Sequence, residues 1–364
     1  MTIAEAKPGA DFDQARSETF AEWMVETLNR GGLGLMLSVG HRAGLFDAMA
    51  SAPAGTSAEI AQRAGLNERY VREWLGAMTT GRVVEYDAAT KRYSLPAEYA
   101  AYLTRAAGGD NIAATMQWLA VLGSVEDQIT DRFREGGGVD YSAYCRFHEV
   151  MAAESAGTVV AGIFEHILPI APGLIETLER GGARALDIGC GRGLAVLAMA
   201  ERFPESEFVG YDISVETTSA ANAEAAERGL ANARFVAQDA ERFTDEAAFD
   251  AVFAFDSIHD QKAPATVLTN IRRALKPDGV FLMQDIAGSS HVEKNIGGAL
   301  APFVYTISCM HCMSVSLAQG GAGLGAAWGE ELAEQMLGEA GLHLEIKTTL
   351  PHDILNVFFV ARPA

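Results

Sequence analysis

A histidine–aspartate pair in the second half of the chain has the residue types needed to move a proton. His259 and Asp260 follow an apolar run ending at Phe255, in the segment FDSIHDQKAP. A neutral histidine has an ordinary pKa of about 6.5 and can take a proton at physiological pH, and an adjacent carboxylate could hold its tautomer. The pair predicts catalytic residues, with His259 as general base. An equally good interpretation is that His259 fills a turn and Asp260 caps a helix starting near Pro264.

A glycine-rich turn precedes this pair, in the segment ARALDIGCGRGLAVLAM at 183–199. Its pattern predicts a buried strand, a turn of Gly189, Gly191 and Gly193 that lets backbone approach a ligand, and a helix. A dinucleotide site needs G-x-G-x-x-G, but here the third glycine comes one place early. Asp187, just before the turn, would repel a pyrophosphate and suits a sulfonium or ammonium group. The turn therefore favours S-adenosylmethionine over NAD.

Two further acids follow strand-like runs in the same region. Asp212 closes the run EFVGYD about twenty residues beyond the turn, where a ribose-binding carboxylate is expected. Asp239 follows the next run, where it and its two neighbours could face the adenine. This ordered series is more specific than the glycines alone. The predicted cofactor-binding residues are Asp187, Gly189, Gly191, Gly193, Asp212, Ile213, Gln238, Asp239, Ala240, Phe255 and Asp256.

Through DIGCGRG, GYD, VAQDA, FDSIHD and LKPDGVF the chain resembles the class I S-adenosylmethionine-dependent methyltransferases over roughly 171–364. The resemblance implies an α/β, Rossmann-like domain with a seven-stranded sheet, a cofactor lying across the strand ends, and methyl transfer from a sulfonium. Plant-type and bacterial O-methyltransferases carry a similar His-Asp pair with the histidine as base, which implies that function for His259. Gln261 stands where the family often has an aromatic residue.

The first fifty residues predict helices. Residues 11–50 predict two, separated by Gly31 and Gly32, and the second is apolar on nearly every side. A helix of that kind is usually buried between neighbours or between subunits. The pattern therefore predicts a homodimer held by the residues from Gly32 to Ala50 and by the domain that follows them, at 56–95.

Residues 56–95 have the pattern of a winged helix-turn-helix: two short helices, the second entered through Asn67, then a two-stranded wing with a turn at 87–90. Between Ser57 and Tyr93 there are six basic and five acidic residues, which is a weak electrostatic footprint for DNA. A packing or dimer module is favoured over DNA recognition. Small-molecule O-methyltransferases, including mycobacterial and actinobacterial ones with this layout, are similar, and the resemblance implies a dimerisation and substrate-cap domain.

Composition indicates which classes of partner and which cellular compartment to expect. With 364 residues the chain is long enough for two domains, and its net charge of −20 opposes binding to nucleic acid and to anionic membranes. The start of the chain lacks a basic-then-apolar signal, and the four cysteines are too few for a disulfide framework. A cytoplasmic protein is expected. The predicted domains are a helical and winged domain at 11–105, a helical connector at 106–172 and a methyltransferase domain at 173–364.

Two cysteine- and histidine-containing segments predict contact with a substrate. His148 lies one turn beyond Cys145 on a predicted helix that follows a loop at 135–145. In the long interval 286–326, expected to lie over the substrate pocket, the run CMHCM contains zinc-type spacing but only two cysteines, too few for a structural metal site. Apolar packing is the alternative for these residues, and no metal is predicted. The candidate substrate residues are His148, Cys309, His311 and Cys312.

These observations together predict a methyltransferase that uses S-adenosylmethionine and a small-molecule hydroxyl or thiol acceptor. The first alternative is a transcriptional regulator whose methyltransferase-like domain only senses the cofactor. The second is an NAD-dependent oxidoreductase. Acceptor identity stays open at this point.

Overall fold

The described part of the chain is residues 12–351 and 353–364 of a computed structural model, and it begins with a 29-residue helix, α1 (Gln14–Arg42). The predicted break at Gly31 and Gly32 is wrong, because α1 runs through both. A Cβ at Gly40 would lie 2.6 Å from the Trp74 ring, so glycine here permits close packing. The helix ends before Gly44, whose φ of 71° suits a residue without a Cβ, and α2 (Leu45–Ala50) follows.

The winged helix-turn-helix has the predicted elements. They are α3 (Ser57–Ala64), α4 (Glu68–Thr80) and the antiparallel strands β1 (Glu85–Asp87) and β2 (Arg92–Ser94). Thr56 and Glu59 form a capping box on α3, and the Asn67 side chain accepts from the Arg69 N–H at the start of α4. Amphipathic packing then buries Trp74 and Leu75.

Helices fill the interval between the wing and the glycine turn. They are α5 (Ala97–Leu103), a 3₁₀ segment (Arg105–Asp110), α6 (Ile112–Thr115), α7 (Gln117–Gly123), α8 (Glu126–Glu135), a 3₁₀ turn (Tyr141–Ala143), α9 (Phe147–Thr158) and shorter 3₁₀ and π turns from Val160 to Ile170. The predicted loop at 135–145 separates α8 from α9. One compact unit ends at Leu119 and a second spans Ala120–Ala364, while the predicted functional boundaries at 105 and 172 stay predictions.

The second unit is built on a seven-stranded sheet, as the resemblance implied. Its strands are β3 (Arg184–Ile188), β4 (Glu207–Asp212), β5 (Ala233–Ala237), β6 (Phe249–Phe255), β7 (Leu275–Ile286), β8 (Leu342–Leu350) and β9 (Asp353–Pro363). They lie in the order β5-β4-β3-β6-β7-β9-β8, with β9 antiparallel to both β7 and β8 and the other pairs parallel. Parallel strands place their carboxyl ends, and the residues that follow them, at one edge.

Helices cover both faces of this sheet and bury its apolar strands in two core clusters. The helices of the second unit from Leu174 onwards are α10 (Leu174–Arg180), α11 (Leu194–Arg202), α12 (Val215–Glu227), α13 (Pro264–Ala274), α14 (Val292–Asn295), α15 (Ala301–Ile307), α16 (Met313–Ala318) and α17 (Glu330–Glu339). The turn predicted at 277–279 lies inside β7, and the interval 286–326 contains α14 to α16 and a π turn (Ser308–Cys312). The predicted closing helix and hairpin are present as α17, β8 and β9.

One helical run in the described residues, Ala301–Ala318, is long and apolar enough to cross a membrane, and 39% of it is buried inside the structure. The same run contains buried polar residues such as Ser316, which donates to the Gln261 carbonyl at 2.9 Å. Core helices have the same length and composition, so the run is weak evidence for a membrane span.

Candidate active site

A cavity of about 630 Å³ lies within the second unit at the carboxyl ends of β3, β4, β5 and β6. The residues after these strands form one side of it, and residues of the 3₁₀ turn and of α9, including Tyr141 and Phe147, form another. This is the edge at which parallel α/β sheets bind ligands. The cavity is therefore the candidate active site.

Ten of the eleven predicted cofactor residues line this cavity. Gly193 does not, because its backbone is packed against Phe235, whose ring would lie 2.1 Å from an added Cβ. Its φ of 73° starts α11 at the end of the turn. The ten lining residues are Asp187, Gly189, Gly191, Asp212, Ile213, Gln238, Asp239, Ala240, Phe255 and Asp256.

Asp187 is buried and points an unpartnered oxygen into this region. Its exposed fraction is 3%, and its Oδ1 has no hydrogen-bond partner among the described residues. Burial, and then the charge of Asp212, raise the pKa of Asp187 well above its ordinary value. A buried carboxyl with an open oxygen is costly unless a ligand pairs with it, and a cationic group would do so.

Asp212 ties the glycine turn to the end of β4. Its Oδ2 accepts from the Gly191 N–H at 2.8 Å and its Oδ1 accepts from the Ser214 N–H at 2.8 Å. Each carboxylate oxygen can accept more than one hydrogen bond, so ribose hydroxyls could still donate to it. An added Cβ at Gly191 would meet nothing within 4 Å, which leaves the turn open to the cavity. These residues fit S-adenosylmethionine, with its cationic and ribose groups.

Asp256, at the end of β6, holds an unfavourable backbone conformation. Its φ is +50°, and such strain in a residue with a Cβ is often found at functional sites. The Gln284 side chain donates to its Oδ2 at 2.7 Å, while its Oδ1 is buried without a partner in the described ranges. Burial, and then the charge of Asp285, raise the pKa of Asp256 well above its ordinary value.

His259 is held from two sides. Its Nδ1 lies 2.7 Å from Asp285 Oδ1, which also accepts from the Trp328 indole N–H at 2.9 Å, and the Cys312 thiol is a further hydrogen-bonding partner. Burial acts to lower the pKa of His259, but the charges and hydrogen bonds of Asp285 and Cys312 raise it well above its ordinary value. The side chain is 4% exposed and is not among the residues that line the cavity.

Asp260 has different partners from the two that the sequence predicted, His259 and the start of the helix near Pro264. The carboxylate bonded to His259 is Asp285, and the N-cap position of α13 is Ala263, with no side-chain capping hydrogen bond. Asp260 lines the cavity, and its Oδ2 accepts from the Tyr141 hydroxyl at 2.8 Å. The structure therefore separates the predicted catalytic pair, with His259 behind the cavity wall and Asp260 on it.

Only one of the four candidate substrate residues lines the cavity. His148 lines the cavity, whereas Cys309, His311 and Cys312 do not. The π turn directs Cys312 towards His259 and places the His311 ring 4.3 Å from that of Phe147, in a stacked arrangement. Burial lowers the pKa of His311 to about 3, so this ring is neutral. Among residues 12–351 and 353–364, no group of three histidine, cysteine or acidic side chains could hold a metal ion.

Acidic side chains outnumber basic ones on the cavity wall. The basic ones are Arg192 and Lys262, and Lys262 Nζ lies 3.7 Å from Glu241 Oε2. The field in the cavity is therefore negative, which favours cationic and neutral ligands. The acidic residues are Asp140, Asp187, Asp212, Glu216, Asp239, Glu241, Asp256 and Asp260.

Sequence reasoning missed two functional contacts. Asp285 lies near the end of β7, beside β6, and the strand-end argument applied to Asp212 would also have found it. Tyr141 carries no such signal, because it lies in an irregular segment far along the chain from Asp260. Only the folded chain brings those two residues together.

Comparisons with known proteins agree with this architecture. Residues 31–105 match the family model of the Rv2258c-like winged HTH domain, and residues 179–335 match a methyltransferase domain model. The nocamycin O-methyltransferase of Saccharothrix syringae is 36% identical over 128 residues, which are 33% of this chain and 46% of that protein. The chain spans less than half the length of the curated relatives it matches, such as 30% of (S)-coclaurine N-methyltransferase of Papaver somniferum.

Solved structures extend the likeness to nearly the whole chain at the level of the fold. The mitomycin 7-O-methyltransferase MmcR has a TM-score of 0.67 at 17% identity, covering 96% of this chain and 100% of that one. Human N-acetylserotonin methyltransferase, in complex with S-adenosylmethionine, has a TM-score of 0.66 at 16% identity, covering 98% and 99%. The chain thus joins a segment that matches the Rv2258c-like winged HTH domain to a segment that matches a methyltransferase domain, in a fold shared with solved methyltransferases.

Proposed function

We propose that this protein transfers a methyl group from S-adenosylmethionine to a hydroxyl or thiol of a small molecule. The observation that carries the proposal is the cavity, in which the glycine turn, Asp187 and Asp212 meet at one edge of the sheet. Bound S-adenosylmethionine supplies a methyl group on a positively charged sulfur. The protein needs only to align the acceptor with that carbon and to remove the acceptor's proton.

The predicted cofactor residues supply complementary groups. The unpartnered Asp187 oxygen suits an ammonium group, and Asp212 accepts hydrogen bonds from ribose hydroxyls while it holds the Gly191 backbone. Gln238 and Asp239 follow β5 on the same edge, where they suit the adenine. Ligand binding would relieve the cost of burying Asp187 without a partner.

His259 is the general base in this proposal, and Asp285 is its orienting partner. An imidazole that donates its Nδ1 proton to a carboxylate presents its other nitrogen as the proton acceptor. The Cys312 thiol also hydrogen-bonds to the ring, and His259 does not line the cavity, so the acceptor must pass the cavity wall to reach the ring. Catalytic contacts often form only in the complex with substrate.

The regulator alternative receives no support from the helix that would read DNA. On α4, Arg69 is paired with Glu73, and Arg72 with Glu68. These pairs neutralise the cations that a phosphate backbone would need, and the whole chain carries a charge of −20. The proposed protein is cytoplasmic, acts on a small-molecule acceptor and has no nucleic acid or membrane partner.

Exposed apolar residues on α1 support the proposed homodimer. Phe20, Met24, Leu28, Leu35 and Val39 recur at a spacing of four or seven residues, which places them on one face of the helix. Each is at least 45% exposed. An apolar face of this length, here named the α1 stripe, is costly in water, and a second copy of the same helix would cover it.

The proposed activity is tested by mass spectrometry. The protein is incubated with methyl-labelled S-adenosylmethionine and a panel of phenols, thiols and amines, and the products are searched for the label. The expected result is a labelled ether or thioether that forms only with the native protein. Labelling of none of the acceptors, in protein shown to bind S-adenosylhomocysteine, would count against the proposal.

A further inference from the structure

Asp260 performs neither of the tasks that its position in the sequence suggests, so it is available to recognise a ligand. Asp285 orients His259, and the N-cap position of α13 is Ala263, which makes no side-chain capping hydrogen bond. Asp260 lies on the cavity wall instead, where its Oδ2 accepts the Tyr141 hydroxyl proton at 2.8 Å. Burial has the largest effect and raises the pKa of Asp260 above its ordinary value, while the charge of His259 and the Tyr141 hydrogen bond act in the opposite direction.

The Tyr141 side chain is fixed by the turn that carries it. Asp140 Oδ1 accepts from both the Ser142 N–H, at 2.9 Å, and the Ser142 hydroxyl, at 2.6 Å, which closes the 3₁₀ turn (Tyr141–Ala143). The Tyr141 ring also lies 5.5 Å from the ring of Phe147. A hydroxyl held in this way orients the carboxylate before a ligand arrives.

The pair offers a hydrogen-bond acceptor and repels anions. A carboxylate has no donor, so its remaining lone pairs bind hydroxyl or ammonium groups and reject another carboxylate. Asp256 adds a second, unpartnered Oδ1 four residues earlier on the same wall. Tyr144 and Phe147 also line the cavity, and the faces of aromatic rings attract cations.

We propose that Tyr141 and Asp260 form the acceptor-recognition pair of this cavity and select a small acceptor with a protonated amine over one with a carboxylate. This inference rests on the proposed function and adds the charge class of the acceptor to it. Asp260 contacts the acceptor, and Tyr141 is a positioning residue that acts through Asp260.

Three phenols that differ in one group test the proposal: tyramine carries an ammonium, 4-ethylphenol is neutral and 3-(4-hydroxyphenyl)propionate carries a carboxylate. Their affinities for the protein saturated with S-adenosylhomocysteine are measured by calorimetry. Tyramine is expected to bind about tenfold or more tightly than the propionate, because a charge-assisted hydrogen bond replaces a repulsion.

Variants assign that preference to the pair. In Asp260→Asn the affinities for tyramine and the propionate should differ by no more than about threefold. In Tyr141→Phe the difference should be smaller than in the native protein but larger than in Asp260→Asn. Both should leave the affinity for S-adenosylhomocysteine within about threefold of that of the native protein. Asp278→Asn, at an exposed acid that does not line the cavity, is the matched control and should keep the native ratio.

Three results would overturn the proposal. The native protein could bind tyramine and the propionate equally, it could fail to bind tyramine, or Asp260→Asn could keep the native ratio of the two affinities. Because the ratio is measured without turnover, its failure is distinct from failure of the proposed function. The latter would appear as absence of labelled product from every acceptor in the mass spectrometric panel.

Discussion

Among single residues, His259 carries the proposed proton transfer. His259→Ala should lower the rate of methyl transfer to a phenol by about 10²-fold to 10⁴-fold, the usual contribution of a general base. A thiol acceptor should lose less, since its thiolate is already populated near neutral pH. The rates are measured under saturating cofactor, with His343→Ala, an exposed histidine on β8, as the control. Full phenol activity in His259→Ala would show that His259 is only a turn residue.

The partner of His259 predicts the pH dependence. Asp285 raises the pKa of His259 well above 6.5, and a base is active only when deprotonated, so the rate should rise with pH through that raised pKa. Asp285→Asn removes the charge, so this limb of the profile should move to lower pH while the maximal rate falls. A profile of kcat against pH checks both effects. An identical limb in native protein and variant would contradict the assignment of Asp285.

How far the site could be predicted depends on where each residue lies. Asp187 lies near the end of β3, Asp212 ends β4 and Asp256 follows β6, so sequence order alone placed them on one edge, and they line one cavity. The function of His259 implied by the family resemblance stays a prediction. The Tyr141–Asp260 contact joins a strand end to an irregular turn, and no periodic pattern encodes such a pairing.

At the level of elements, the glycine turn should depend on its third glycine for stability. Gly193→Ala forces a Cβ into φ +73° and against the Phe235 ring, so it should lower the free energy of unfolding by about 2 kcal/mol or more. Gly338→Ala, on the exposed side of α17 with nothing within 4 Å, should instead raise it by up to about 1 kcal/mol. Denaturant titrations compare the two variants. Equal stability of both would contradict the packing argument at Gly193.

Elements with a strong local signal were predicted, and those decided by packing were not. The capping box and Asn67 mark α3 and α4, and apolar runs mark the parallel strands. The break expected at Gly31 and Gly32 failed because each glycine costs a helix only about 1 kcal/mol, and α1 continues through both. The helices within 286–326 have four to seven residues each, which is too short for a helical period to be recognised in the sequence.

For the whole molecule, the α1 stripe predicts a dimer. Leu28→Asp places a charge in the middle of the stripe and should convert the dimer to monomer at micromolar concentration, because a buried unpaired charge is strongly unfavourable. Phe133→Asp, at a residue that is 78% exposed on α8, is the control and should leave the mass unchanged. Light scattering measures the mass of each. A native monomer would contradict the proposed interface.

The central claim is that the strand-end cavity holds S-adenosylmethionine, and calorimetry with S-adenosylhomocysteine tests it most directly. The native protein should bind S-adenosylhomocysteine and not NAD, since Asp187 opposes a pyrophosphate. Asp212→Ala should weaken that binding by about 1.5 to 3 kcal/mol, because it removes charge-assisted hydrogen bonds to the ribose. Binding of NAD, or an affinity for S-adenosylhomocysteine that is unchanged in Asp212→Ala, would contradict the account.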